Sequence, residues 1–398
     1  MTLTNVKIFD KHLLIIIVIA FIIRLLVMWL YPDQNFPDAQ AYKTIGQEIF
    51  TGKIITNHIY MPLYPILSYV SGGGSFQILL DIIFSVLSIW LMYLTSAFIF
   101  KDRIAALSSA AIAAIYPHFV FYSVSGLTEV FYTFLLLLSI FLFYKKYIVL
   151  GIIISILGLL VKPSLDFLNP ILVFMFVIFV HKMDWRKASK YLGIYFISYI
   201  IIMSPWWIHQ YQKYDSFVRL SLGDGVVLYT GNNPLNKSGG GINGVDVDET
   251  IFNQIDSPID RNIAQKNEAI KYIIENPIQF VKMSGVKFKR FWRLWPYAEE
   301  YTQWYIIFIS ILSYGVVLLL SLGFLFRNSK KYVEKLSPIF ALFVYLTLVH
   351  MITIGSIRYR FPLEPFLIIF AGYFFVDIIR DNKWFIAISA NYLQKKEI

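Results

Sequence analysis

The chain has 398 residues, of which 58% are hydrophobic, 18% aromatic and only 15% charged. This excludes a soluble domain, because so many long apolar runs would leave exposed patches that aggregate in water. The formal net charge of +10 does not indicate nucleic acid, since the lysines and arginines fall mostly in short clusters between apolar runs, as the positive-inside rule requires; the absence of cysteine excludes disulfides, zinc thiolate sites and thiol catalysis.

The first apolar run, Leu13 to Leu30, is too long for a signal peptide and lacks a small-residue cleavage site, so it reads as a retained first span. A few residues later comes "FPDAQAYKTIGQ". Asp38 there precedes an amphipathic stretch, 39–50, with Tyr42, Ile45 and Ile49 on one side. Its carboxylate suits a helix N-cap, and a carboxylate fixed at a membrane surface can also accept a proton from a hydroxyl; the two roles are compatible.

Spans are expected next at 76–100, 104–121 and 127–144. The last opens in "SVSGLTEVFYTFLLLL", with Glu129 at its mouth, where an unpaired charge is expensive, so Glu129 pairs with a nearby base or faces water. The apolar stretch 147–181 is too long for one span. "VKPSLD" interrupts it at Lys162 and Pro163, where proline breaks a helix, giving two short spans, 147–161 and 165–181.

A span at 190–209 is followed by a long polar segment, 210–301. It contains the cluster "YTGNNPLNKSGGGING", a helical pattern from about Pro258 to Asn276, and "FKRFWRLWP". There Lys287, Lys289, Arg290 and Arg293 interleave with Phe288, Phe291, Trp292 and Trp295, which suits a helix in the headgroup region, as an anchor or as a lipid-substrate contact. Spans at 302–326, 336–355 and 361–379 bring the number to ten.

Charge supplies a check on this topology. With the N-terminal Lys7 and Lys11 inside, alternation places Lys101 and Arg103, Lys145 and Lys146, "HKMDWRKASK", "RNSKKYVEK", Arg380, Lys383, Lys395 and Lys396 on that same side. One span over 147–181 would switch the later clusters. The opposite side receives 32–75, the turn at Ser123 to Gly126, Lys162, 210–301 and "SIRYRF". Arg358 and Arg360 lie there against the bias. A phosphate would account for them, because guanidinium donors match its oxygens bidentately; snorkelling or pairing with Glu364 is the alternative.

His58, His118, His209 and His350 fall on or near the same face without paired metal-ligand spacing. A divalent metal held by Asp38, Glu129 and a histidine is therefore an open expectation that the spacing does not argue for, and no other cofactor is called for. No P-loop, dinucleotide-binding glycine pattern or nucleophile elbow is present, and the lack of an internal repeat disfavours a secondary transporter.

Taken in order, "FPDAQAY", "MPLYPIL", "SGLTEVFYTFLLLL", "VKPSLDFLNPIL", "SPWWIHQYQ", "LYTGNNP" and "IRYRFPLEPFLIIFAGY" make nearly the whole chain resemble the GT-C superfamily of membrane glycosyltransferases. The likeness is to the bacterial group related to the protein O-mannosyltransferases and the lipid A aminoarabinose transferase. It implies an all-α polytopic protein of about ten transmembrane helices, with an amphipathic first outer loop. The expected organisation is a membrane module over 1–209, an outer segment over 210–301 and a second membrane module over 302–398.

The resemblance further implies transfer of a sugar, with inversion, from a polyprenyl-phosphate donor to a glycolipid, polysaccharide or protein acceptor, at the periplasmic face of a bacterial inner membrane. Asp38 would be the general base and Glu129 the second acid of the site. Lys162, Arg358 and Arg360 would hold the lipid phosphate, and Tyr42, Tyr64 and Tyr359 would contact substrate.

Three features depart from the family pattern. Ala39 stands where many relatives carry a second acid, and His209 follows the tryptophan pair Trp206 and Trp207 where an arginine is usual. The chain also ends soon after the last span, so acceptor choice is expected to fall to 210–301. A flippase or transporter of a lipid-linked sugar is the alternative function, but it would need polar residues spread through the spans; a noncatalytic assembly component would be indifferent to Asp38→Asn.

Overall fold

The computed structural model describes residues 10–31, 36–52, 59–241, 245–297 and 301–381. Expectations that rest on Lys7, His58, Lys383, Lys395 and Lys396 lie outside these residues. Among the described residues there are helices and no β-strand.

Helix α1, Lys11–Leu30, begins at Asp10, whose carboxylate accepts from the His12 N–H at 2.9 Å. Arg103 clamps the same carboxylate at 2.5 and 3.0 Å and holds its pKa well below the usual carboxylate range. Helix α2, Pro37–Thr51, starts on a proline, which needs no N–H partner there, and stops at Gly52 in the left-handed region, φ 67°. Helix α3, Leu63–Val70, packs on α2 so closely that a Cβ on Gly46 would lie 2.1 Å from the Pro65 carbonyl oxygen.

Helix α4, Gly74–Phe100, runs through the centre and packs against α1, α5 (Arg103–Ile115) and α7 (Thr128–Tyr144). Between α5 and α7, α6 (Pro117–Ser123) continues α5 after a 55° bend. Pro117 lacks the N–H that would continue the ladder, and the buried Arg24 of α1 takes up a freed carbonyl: its Nη1 donates to Ala114 O at 3.0 Å while its Nε donates to Ser85 Oγ at 2.9 Å. The span expected over 104–121 is thus bent at Pro117.

Helix α8, Ile148–Leu159, and helix α9, Leu168–Met175, are separated by the short turn at Pro163–Leu165; α9 runs on through a wider π turn to Val180. Helix α10 spans Trp185–Tyr214. The polar segment then supplies α11 (Asp224–Gly231), α12 (Pro258–Glu275) and α13 (Pro277–Phe291). Helix α14, Trp304–Ser310, passes through a π turn into α15, Val316–Arg327, and α16 follows over Ser329–Ile352. A four-residue turn, α17 (Ile357–Arg360), leads into α18, Glu364–Asp381.

Helix α18 is buried against α5 and α15; a Cβ on Gly372 would meet the Ser109 backbone nitrogen at 2.7 Å, so small residues on α5 admit the helix at close range. By length and composition, six described helices can cross a bilayer, and the bent pair α5 and α6 makes a seventh. Helices α7 and α8 and the segment Leu168–Val180 are apolar but shorter. The protein is therefore an all-helical polytopic membrane protein, with six or seven crossings by length among the described helices; the finer expectation of ten rests on the three shorter ones.

Candidate active site

The first turn of α2, the mouth of α7, the break between α8 and α9, and α17 converge at one end of the bundle. Phe36, and not Asp38, is the N-cap of α2; Asp38 occupies the second helical position. Its Oδ1 accepts from the Tyr60 hydroxyl at 2.7 Å and its Oδ2 from Arg358 Nη1 at 2.7 Å. Burial and the adjacent Asp38 carboxylate push the Tyr60 phenol pKa upward, so Tyr60 remains a donor.

Glu129, fully buried in the first turn of α7, completes the cluster. It accepts from Lys162 Nζ at 2.6 Å, from Arg358 Nε in a short ion pair, and from Arg358 Nη2 at 3.4 Å. Lys162 reaches it because the proline-broken turn between α8 and α9 presents that side chain inward. Lys162, Glu129, Arg358 and Asp38 thus alternate in sign. The chain of charges runs from the sealed carboxylate of Glu129 to Asp38, Arg358 and Lys162, whose side chains keep 29%, 30% and 20% exposure.

The tyrosines divide into two groups. Tyr42 is buried and meets Tyr60 and Tyr64 edge-on, each with ring centroids 5.0 Å apart. Tyr64 donates to Asp81 Oδ2 at 2.7 Å, and Gln77 Nε2 donates to the other oxygen at 3.3 Å, so a second, fully buried carboxylate supports the floor of the site. Tyr359 stacks on His350 with centroids 4.6 Å apart, and Lys162 Nζ lies 5.9 Å from the Tyr359 ring centre.

Arg360 is not brought to the cluster. It is fully buried and binds Glu364 Oε1 at 2.9 and 3.1 Å, donates to the carbonyls of Phe291 and Arg293 at 2.9 and 2.8 Å, and lies 3.6 Å over the Tyr314 ring. Glu364 also meets His118 Nδ1 at 3.1 Å. The pairing with Glu364 is what is observed, and every donor group of Arg360 described here is spent on protein. Trp206 and Trp207 donate to the carbonyls of Leu220 and Arg219 at 2.6 and 2.7 Å, and His209 stacks on Trp206. His58 lies outside the described residues.

Sequence reasoning missed Tyr60 and Asp81. Asp81 carried a signal, an acid inside the apolar run 76–100, whereas Tyr60 carried none. No group of three metal-ligating side chains occurs among the described residues. Arg358 stands between Asp38 and Glu129 where a divalent ion would stand, so this donor set does not fit one.

Chemically, the cluster offers a partly exposed carboxylate beside two partly exposed cations whose counter-charge is buried. Such an arrangement suits a substrate that releases a proton at one end and gathers negative charge at the other.

The same arrangement of helices occurs in solved structures of the oligosaccharyltransferase of Archaeoglobus fulgidus. The apo form matches with a TM-score of 0.58 and 13% identity, covering 96% of this chain and 52% of that one. The complex of that enzyme, AglB, with an inhibitory peptide and a dolichol-phosphate matches with a TM-score of 0.56 and 15% identity, over 96% and 52%. The complex with zinc and sulfate gives 0.53 and 16%, over 96% and 51%. The likeness is one of fold, shared with the matched half of that oligosaccharyltransferase. This chain spans about half the length of those proteins. No family profile and no curated protein sequence matches it.

Proposed function

We propose that this protein is a membrane glycosyltransferase that moves a sugar from a polyprenyl-phosphate carrier to an acceptor hydroxyl of the cell envelope. The observation that carries the reading is the Lys162, Glu129, Arg358 and Asp38 chain of charges, set at one end of a bundle whose fold is shared with an enzyme whose structure is known in complex with a dolichol-phosphate. Asp38 takes the proton of the acceptor hydroxyl. That oxygen attacks the anomeric carbon on the side opposite the phosphate, the carbon–oxygen bond to phosphate breaks, and the bonding electrons leave with the lipid phosphate. A single displacement inverts the anomeric centre.

Lys162 and Arg358 hold the leaving phosphate and neutralise its charge as it develops; Glu129, sealed behind them, keeps both cations aimed at one point. Tyr42 and Tyr64 support the acid from below, and Tyr359 lines the phosphate side. Arg360 braces α17 and does not bind substrate.

The three short apolar helices complete ten crossings in this reading, with the site on the outer, periplasmic face of an inner membrane. The segment 210–301 selects the acceptor, which is a glycolipid such as lipid A, a polysaccharide or a protein. Mass spectrometry of lipid-linked sugars and envelope glycans, in cells with and without the gene, tests the reaction. Accumulation of one polyprenyl-phosphate sugar together with loss of one residue from one glycan is expected; an unchanged donor pool with changed glycans contradicts it.

A further inference from the structure

Helix α13 has two faces of opposite character. Met283, Lys287 and Phe291 are buried, and on the other side Ile278, Val281 and Phe288 are 72%, 69% and 44% exposed. Gly285 falls on that exposed stripe with open space beyond it, and the exposed Lys282 and Lys289 border it. At 100° per residue, positions 278, 281, 285 and 288 occupy an arc of about 80°, so the stripe is one continuous apolar face.

The level of the C-terminal turn of α13 follows from its packing on α16. Lys287 Nζ donates to the carbonyl of Ile352, the last residue of α16, at 3.0 Å. One turn further along α13, Phe291 stacks on His350 at 5.4 Å, and Trp292 stacks on Phe343 at 6.2 Å. Phe343 lies nine residues back from Ile352, which is ~14 Å along the α16 axis. The last turn of α13 therefore packs beside the end of a membrane-spanning helix, and the rest of the stripe leads away from that end. On α16 the neighbouring Val344, Leu348 and Ile352 form their own exposed apolar row, at 59%, 52% and 45%.

We propose that α13 lies in the surface layer of the lipid bilayer at the end of the bundle that carries the charge cluster. Its stripe of Ile278, Val281, Gly285 and Phe288 faces acyl chains, and Lys282 and Lys289 reach the phosphates of anionic headgroups. The occupant is lipid because the stripe begins where the exposed apolar row of this spanning helix ends, at Ile352, and is edged by cations. Long lysine side chains at that level extend toward the headgroups while their stems remain in the apolar layer.

The natural absence of cysteine lets single-cysteine variants report one position each. Spin labels at Val281 and Phe288, with exposed Asn267 of α12 as control, are read in purified full-length protein reconstituted in phosphatidylcholine vesicles with and without phosphatidylglycerol. Labels at Val281 and Phe288 are expected to meet dissolved oxygen and be shielded from a water-soluble nickel chelate, with Asn267 showing the reverse. Lys282→Glu with Lys289→Glu is expected to lower oxygen contact at Val281 most in the anionic vesicles. Nickel access at Val281 and Phe288 equal to that at Asn267 overturns the proposal. So does shielding from both reagents, which would mean a second copy covers the face, and so does shielding found in native membranes but not in the vesicles, which would mean a different protein does.

Discussion

Arg358 and Asp38 are 320 residues apart in the chain and share a hydrogen bond of 2.7 Å. The acid of the first polar segment is thereby fastened to the turn that opens the last helix. The site is complete only when helices from the two ends of the chain have come together, and Arg358 serves two carboxylates at once through the two sides of its guanidinium.

Lysine cannot span Asp38 and Glu129 together, because its ammonium is a point donor. Arg358→Lys is expected to reduce sugar transfer by ~10²- to 10³-fold, the size of effect seen when one charge-stabilising donor is removed. Arg358→Ala leaves the buried Glu129 with Lys162 alone, and should also destabilise the fold by ~3–5 kcal/mol. Thermal unfolding in detergent, measured beside turnover, separates the two losses.

Arg360 should behave differently. Arg360→Met strips the buried Glu364 of its guanidinium partner and leaves the Phe291 and Arg293 carbonyls without a donor, so a loss of ~3–5 kcal/mol is expected. At a temperature where the variant stays folded, its KM for lipid donor should match that of the natural protein. A raised KM with unchanged melting would place Arg360 at the phosphate instead.

Gly46 sets the spacing of α2 and α3. A methyl group there would collide with backbone, at 2.1 Å from the Pro65 oxygen, and backbone cannot swing aside as a side-chain tip can. Gly46→Ala is expected to push α2 away from α3, lengthen the Asp38 contact to Tyr60, and lower kcat more than it raises KM. Transfer kinetics of the variant check this, and unchanged kcat would show that the α2 position is not critical.

Lys287 gives a stability signature with pH. Burial pushes its pKa from 10.5 down to about 8. Between these values the folded protein binds fewer protons than the unfolded chain, so stability rises with pH across that window; below it the ammonium is charged in both states and the burial penalty is fully present. Melting of the natural protein relative to Lys287→Met is expected to climb from about pH 8 to about pH 10. Parallel melting curves would show that Lys287 is not buried in its charged form.

Proline made the break at Lys162 and Pro163 readable, because its missing N–H acts locally whatever surrounds it. The same reasoning was available at Pro117, yet the bend there also depends on Arg24, which arrives from another helix. Asp38, Glu129, Lys162 and Arg358 stood out as charges at the ends of apolar runs. That Arg358 joins the cluster while Arg360, two residues on, turns away was not readable, since on a helical turn two positions differ by about 200° and only the partners decide which side is which. Lys287 misled for a related reason. Its basic and aromatic neighbours suggested a headgroup position, but the close approach of Gly231, Gly239 and Gly355 opens a buried place for it, and those residues lie far off in sequence.

Asp38 is the proposed base of the sugar transfer. Cells carrying Asp38→Asn, matched to the natural protein for amount in the membrane, can be compared by mass spectrometry of polyprenyl-phosphate sugars and envelope glycans. The variant cells are expected to accumulate the same lipid-linked sugar, and to lose the same single glycan residue, as cells without the gene. Glycans and lipid pools like those of the natural protein would contradict that role and leave Asp38 as a structural partner of Tyr60 and Arg358.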